Sequence, residues 1–583
     1  SQSFNENWEV WQIVSYLEKF GIGPQSAEGI YKKLGPNTIT TIEENPYILI
    51  DLTVRVNFAQ IDQIAIKMGM DLENDKRIRS GIKYALKLST NNGHCAVLYE
   101  NLIQFVKDLL NVSEVMIENN IIFLKTKNEI VLEDRKNQEW VYLYNYYVAE
   151  KNVAESLIAL DNYLNVKEIS NFEKKLKKIE KHSDLELSEK QREAVIAVQE
   201  HNVCVITGGP GTGKTTIIKT IIEMYKQEEK KVVLCAPTGR AAKRMSEATG
   251  EEAKTLHRLL EIGKTSSDEL QNIDPNVEVA PLDADVIIVD EVSMVDIFLM
   301  NYLLQAIYKG TKLVLVGDSN QLPSVGPGNV LKDIIQSERL TTITLNKIFR
   351  QAAKSKIILN SHKVNEGISI FSKDEQNENE ELLEDFFFIN ETNKLKVLEN
   401  IISLCTGRLE KYGNYTFAQN IQVISPTKKG ELGTKELNKS LQQAINPESE
   451  EKNERKYIDS VFREGDRIMQ IKNNYDIYWE KREPTLEMGK GVFNGEYGTI
   501  LNIDEVEKKV KIKFDDDKLV WYNFDELEQI EHSYCITVHK AQRKRVRCSY
   551  YANSTGCANV TYSYIAIHCN DKSKKITYFN WKS

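Results

Sequence analysis

The stretch GGPGTGKTT at 208–216 has the residue types and spacing for one specific chemistry. It matches G-x-x-x-x-G-K-[ST], and it lies between the apolar run VCVIT and the helix-like TTIIKTIIEMY, the strand–loop–helix setting that gives the motif its meaning. Its glycines let backbone N–H groups wrap around phosphates. Lys214 would put a cation on the β- and γ-phosphates, and Thr215 would offer a hydroxyl to Mg²⁺. Gly208, Gly209, Pro210, Gly211, Thr212, Gly213, Lys214, Thr215 and Thr216 are therefore the expected cradle for ATP. A second constellation, VIIVDEVSM at 286–294, ends an apolar strand in two carboxylates. Asp290 is placed to hold Mg²⁺ directly or through water, and Glu291 to polarise an attacking water. Either carboxylate alone could cap a helix; behind four apolar strand residues and downstream of a phosphate loop, the pair points to hydrolysis.

Shorter stretches surround these two. LSEKQREAV (187–195) offers Gln191 to an adenine edge. VGDSNQLPSVGPG (316–328) puts Gln321 just past a strand end, near a γ-phosphate, and TLNKIFRQ (344–351) offers Arg350 as a cationic finger. APTGRAAKRM (236–245) follows the next strand after the phosphate loop, TLHRLL (255–260) comes shortly after it, and ITVHKAQ (536–542) follows a later strand.

Positioning these groups takes a parallel sheet. VCVIT, KVVLCAP, ADVIIVD and TKLVLVGD alternate with helical stretches between 187 and 350, and near-continuous Val/Ile/Leu runs mean strands buried on both faces. IQVISPT at 421–427 opens a second α/β stretch. From 457 to 530 the texture becomes short alternating strands with Gly turns, which predicts a small β-barrel inserted into that second stretch, resumed at 531–542. Residues 1–75 read as helical, with the turn GIGPQSAEGIYKKLG at 21–35 and a looser copy near 56–69. The turn suits approach to a DNA backbone, as in a helix-hairpin-helix, or simple helix packing. Residues 76–186 predict a winged-helix-like module and a charged helical connector.

At 583 residues the chain is long enough for roughly three to five domains. Hydrophobic content of 41% and charged content of 28% fit a globular chain. A net charge of −9 speaks against a globally basic nucleic-acid coat, though not against a local basic groove. No apolar run approaches the roughly 20 residues that span a bilayer, and the N-terminal residues show no secretory pattern. The eight cysteines lack paired spacing and read as reduced thiols in a cytoplasmic protein.

Taken in order, GGPGTGKTT, APTGRAAKRM, TLHRLL, VDEVSMVD and GDSNQLPSVGPG closely resemble the RecD-type branch of superfamily 1B helicases, over nearly the whole chain. The resemblance implies two RecA-like P-loop domains, 187–350 and 351–456 resumed at 531–542, with ATP between them and an SH3-like barrel at 457–530. It implies 5′→3′ movement on single-stranded DNA and at junctions with duplex, in repair or recombination, with ATP and Mg²⁺ as cofactors. It places DNA against Pro237, Thr238, Arg240, His257, Thr537 and His539, although both histidines could also be ordinary structural residues. A duplex-splitting pin is expected between 261 and 280. No motif specifies a protein partner or a membrane. Two other readings stay open: an ATP-binding, DNA-associated protein without a productive motor, and an RNA-directed superfamily 1 motor.

After HKAQ the family continues as Gly-Ser-Glu, and a later helix carries an arginine in a Y-x-A-x-T-R-A-K-K stretch. Residues 543–583 hold neither; they contain three of the eight cysteines and a single acidic residue, Asp571. The genetic code connects the two. Arg543–Ser549 written as AGG AAG CGA GTT CGA TGT AGT and read from the second base gives G-S-E-F-D-V. Ile567–Lys575 written as ATA CAT TGC AAT GAC AAG AGC AAA AAA gives Y-I-A-M-T-R-A-K-K. Codon choice is free mainly at third positions, so such agreement is not accidental. The expectation is a one-nucleotide insertion after the Gln542 codon, which makes 543–583 a frameshifted tail.

Overall fold

The computed structural model describes residues 2–18, 22, 24–52, 57–163, 172–182, 186–262, 275, 277–347, 354–369, 386–391, 393–409, 411, 421–482, 486–541, 548–552 and 575–580. Arg350 and the segment 263–274, where most of the expected pin falls, lie outside these residues, as does most of the tail.

The N-terminal part is helical through Asp75–Asn91, as its pattern predicts, and continues into a three-stranded antiparallel sheet made of Ala96–Leu98, Ile130–Arg135 and Gln138–Leu143, with the last strand central. One hydrophobic core runs through both, from Ile13 to Val141. The division expected at residue 75 therefore crosses no break in packing: the helix beginning there serves both sides. Buried Arg77 on that helix ties the pieces together. Its guanidinium donates to both carboxylate oxygens of Asp62, at 2.8 and 2.9 Å, and to the Leu72 and Leu110 carbonyls. A planar fork meeting a carboxylate in this way is among the stronger polar contacts available to a buried charge.

The central unit is a six-stranded parallel sheet in the order Ala253–Thr255, Val232–Ala236, Val286–Val289, Lys312–Gly317, Val203–Gly208, Thr341–Leu345. Side chains alternate between its two faces. Val203, Val205, Ile287, Val289, Leu313 and Leu315 pack on one face, against helices Ile297–Gln305 and Tyr144–Asp161. Cys204, Ile206, Val286, Ile288, Val314 and Val316 pack on the other, against Glu189–Glu200, Lys214–Lys226 and the connector helix Phe172–His182. Both faces are covered, which is why the strands read as unbroken apolar runs. The helix Tyr144–Asp161, expected in the preceding module, supplies part of this core.

A second sheet, also parallel, has the order Phe386–Asn390, Lys575–Asn580, Cys548–Ala552, Ile421–Ser425, Cys535–Thr537. Two backbone segments of the tail thus occupy its middle. Between 454 and 532 lie a hairpin and an antiparallel sheet closed over its own apolar core, including Phe462, Ile468, Ile512, Phe514 and Tyr522.

Asp466 joins that barrel to the second sheet. Its carboxylate is fully buried and accepts five hydrogen bonds, from Gln442 Nε2 at 2.6 Å, Asn446 Nδ2 and Arg463 N at 2.8 Å, Tyr534 OH at 2.9 Å and His532 Nε2 at 3.0 Å. Burial pushes its carboxyl upward, but the contacts from His532, Asn446 and the Arg463 N–H outweigh it and hold the group below its ordinary value. Asp466→Ala would leave these donors without an acceptor, so it should cost about 3 kcal/mol or more, read as a lowered unfolding temperature. A depressed carboxylate contributes fully above its unfolded value of about 3.9 and loses that contribution as pH falls through the folded value. The stability gap between Asp466→Asn and the parent chain should therefore narrow as pH falls below about 4.

Candidate nucleotide and nucleic-acid sites

The phosphate loop leaves the strand Val203–Gly208 and enters the helix Lys214–Lys226. Gly211 and Gly213 have φ of +79° and +83°, backbone that side-chain-bearing residues rarely adopt. Gly208 is needed for close packing: a β-carbon there would lie 2.7 Å from Thr212 Oγ1 and 2.9 Å from Leu345 Cβ. Thr212 Oγ1 donates to the Gly209 carbonyl at 2.9 Å. Lys214 Nζ donates to the carbonyls of Gly208 and Gly209, the latter at 3.2 Å, so the cation sits inside the loop. Thr215 and Thr216 follow in the first turn of the helix.

Gln191 is buried beneath this loop. Its Nε2 donates to the Thr212 carbonyl at 3.3 Å, and its Oε1 accepts from Ser188 N at 2.9 Å in a capping box. The residue expected at an adenine edge here pins the loop to the helix before it.

The two carboxylates follow the strand Val286–Val289. Asp290 N donates to the Cys235 carbonyl of the neighbouring strand, and Glu291 N donates to Asp290 Oδ1 at 2.8 Å. Glu291 is 8% exposed and left-handed, with φ 62° and ψ 42°. Such backbone costs of order 1 kcal/mol or more in a non-glycine residue and gathers at functional positions.

Asp318 completes the cluster and was not singled out from the sequence. It ends the strand Lys312–Gly317 as Asp290 ends its own, and that shared pattern was the available signal. Burial pushes its carboxyl upward while nearby Lys214 pulls it down; Glu291 also acts on it, and the Gln321 side chain hydrogen-bonds to it. Lys214, Glu291, Asp318 and Gln321 are thus brought together. Ser319 N donates to Thr207 Oγ1 at 3.2 Å, tying this strand end to the base of the loop.

The expected DNA-facing residues are more scattered. Pro237 and Thr238 follow the strand Val232–Ala236, and Thr238 Oγ1 caps the helix Gly239–Thr249 by accepting from Ala241 N. Arg240, on that helix, is covered by the barrel: its guanidinium carbon lies 4.1 Å from the centre of the Tyr497 ring, and burial lowers its pKa. Nothing in the sequence near Arg240 announces Tyr497, because the contact joins separate units. His257 is largely buried near Asp296; burial lowers its pKa and Asp296 opposes the shift. Thr537 is 9% exposed and accepts from Lys540 N, and His539 lies in the short helix Val538–Ala541. Among the described residues no group of three or more His, Cys, Asp or Glu could hold a metal, and no helix is long and apolar enough to cross a membrane.

Comparison with known proteins follows the same division. Residues 6–96 match the ATP-dependent RecD2 DNA helicase HHH domain, 191–327 an AAA domain, and 437–514 the ATP-dependent RecD-like DNA helicase SH3 domain. The chain is similar to the ATP-dependent RecD2 DNA helicase of Deinococcus radiodurans, at 28% identity over 541 residues covering 91% of this chain and 69% of that protein. It is similar to the RecBCD enzyme subunit RecD of Buchnera aphidicola subsp. Schizaphis graminum, at 30% identity over 471 residues covering 69% of this chain and 73% of that subunit. A nucleotide loop with its carboxylates on one parallel sheet, flanked by these helical and barrel modules, places the chain in the RecD-type family of superfamily 1B ATP-dependent DNA helicases.

Proposed function

We propose that this chain uses ATP and Mg²⁺ to move 5′→3′ along single-stranded DNA and to open duplex at single-strand junctions, in DNA repair or recombination. The observation that carries this reading is that the loop with Lys214, Asp290 with Glu291, and Asp318 follow three adjacent parallel strands at the carboxyl edge of one sheet. The second parallel sheet reads as a second RecA-like domain, resumed after the barrel. The helix–strand–helix–helix–strand–strand order from Asp75 to Leu143 reads as a winged-helix-like module.

The donors at the loop are oxygens: the Thr215 hydroxyl and the Asp290 carboxylate. That set fits Mg²⁺, which takes few protein ligands and shares phosphate oxygens. Bound there, the ion would neutralise charge on the phosphates. Lys214 adds a second cation, turning from the loop carbonyls to the phosphates. Glu291, held by its strained backbone and the Asp290 side chain, orients the attacking water. Gln321 stands beside Asp318, where it reports the state of the γ-phosphate to the sheet edge. Pro237, Thr238, Arg240, His257, Thr537 and His539 form the DNA side, with the N–H groups that open the helix Gly239–Thr249 offered to a backbone phosphate.

The tail qualifies the activity of this chain as written. An arginine from the second domain stabilises charge on the γ-phosphate, and such fingers contribute roughly 10³–10⁵ in rate in related transfers. Residues 543–583 hold no arginine in the matching stretch. The strand Lys575–Asn580 pairs on both sides within a parallel sheet, a position that calls for apolar residues. The written sequence there is KITYFN; the shifted reading gives K-L-L-I-L-I. That agreement supports the insertion, and it favours, for the chain as written, an ATP-binding DNA-associated protein with an impaired motor.

Lys214→Ala should lower single-strand-stimulated ATP hydrolysis by orders of magnitude while single-strand binding, read by fluorescence anisotropy, survives. Equal hydrolysis by the variant would remove the loop from the mechanism. Restoring the frame after Gln542 should raise hydrolysis by at least about 10²-fold and give unwinding of 5′-tailed but not 3′-tailed duplex. Equal unwinding of 5′-tailed duplex by the written and restored chains would show that the missing arginine is dispensable.

A further inference from the structure

His362 lies in the helix Lys356–Asn365, beyond the strand that pairs with the P-loop strand. The sequence does not single it out, yet its ring rests against the phosphate loop. A β-carbon placed on Gly209 would lie 2.9 Å from His362 Cε1, 3.3 Å from Nε2 and 3.8 Å from Nδ1. Among the described residues, His362 Nε2 is buried without a hydrogen-bond partner. A buried polar nitrogen left unpaired is costly, so its presence calls for a partner.

Position along the loop identifies that partner. Gly209 is the residue whose carbonyl accepts from Lys214 Nζ at 3.2 Å. A P-loop lysine is drawn to the β- and γ-phosphates, so this end of the loop faces the terminal phosphate. Thr212 lies further along the loop, and its carbonyl already accepts from Gln191 in the helix beneath. We infer that His362 is a binding residue for the terminal phosphate of a nucleoside triphosphate, its Nε2–H donating to a γ-phosphate oxygen. This rests on reading residues 208–216 as the nucleotide site. The contact gives the segment after the first sheet a direct means of telling triphosphate from diphosphate. It also gives Gly209 a reason to be glycine, because any side chain there would displace the ring.

The test compares the full chain with His362→Ala and His362→Gln. Affinity is measured for a fluorescent ADP and for a fluorescent, non-hydrolysable β,γ-imido ATP analogue, with Mg²⁺ present, and unfolding temperature is recorded for each protein. Loss of one hydrogen bond to a charged phosphate should weaken the triphosphate analogue on the order of tenfold while ADP binding is nearly unchanged. His362→Gln, whose amide nitrogen can reach the same place, should recover most of the preference. A triphosphate-to-diphosphate ratio unchanged in His362→Ala, whether both affinities hold or both fall together with the unfolding temperature, would reduce His362 to packing and overturn the assignment. If the unmodified chain binds neither nucleotide, the nucleotide-site reading itself fails, and this inference with it.

Discussion

A strand buried on both faces cannot carry an unpaired charged group along its length, and most of this molecule's chemistry follows from that. Isolated ions are too costly to place in such a layer. The strands Val203–Gly208, Val286–Val289 and Lys312–Gly317 are therefore largely apolar, the buried Lys312 at the start of one being paired with the Gln199 and His201 carbonyls, and the functional polar groups come just beyond their carboxyl ends. In a parallel sheet all those ends lie on one edge. The phosphate loop, Asp290 with Glu291, and Asp318 are neighbours for this reason, although they are far apart in sequence. Crevices at the carboxyl ends of parallel strands are where such folds bind ligands.

The same edge shows how tightly the site is held before any nucleotide arrives. Gln191 fixes the loop from below, Thr207 ties it to Ser319, and Glu291 is kept left-handed by its place between a strand and a tight turn. Lys214 rests on loop carbonyls, which satisfies a cation that would otherwise face only partial compensation. Burial pushes the Asp318 carboxyl upward while Lys214 opposes it, so movement of that lysine onto phosphate would change the balance at Asp318.

Two contacts connect the sheet to the remaining units. Arg240 lies under Tyr497, so a helix expected to face DNA is also the seat of the barrel. A guanidinium over an aromatic face contributes more as it is desolvated, and partial burial is what lowers the Arg240 pKa. Asp466 anchors the barrel at its other side through donors from Gln442 and Asn446, at the end of the helix Thr434–Ile445, and from Tyr534, just before the strand Cys535–Thr537. The barrel is thus contacted on two sides by a charged group, Arg240 and Asp466.

Much of this was readable from residues 208–216 and 286–294, because loop and carboxylate motifs are local: their meaning lies in spacing along one strand–turn–helix unit. The alternating strands likewise announced a parallel sheet, a barrel and helical N-terminal parts. Asp318 was within reach of the same argument, since it ends its strand as Asp290 does. Local pattern could not supply the single core that joins 1–75 to the following module, the seat of Arg240 beneath Tyr497, the five donors around Asp466, or the His362 ring against Gly209. Each of these depends on which surfaces meet after the chain has folded back over tens to hundreds of residues. A periodicity records that a face is apolar but not what covers it. The sequence by itself determined the chemistry available and the type of sheet that carries it; the tertiary structure decided which of those groups lie together at the sheet edge, because burial and partnership are properties of packed surfaces.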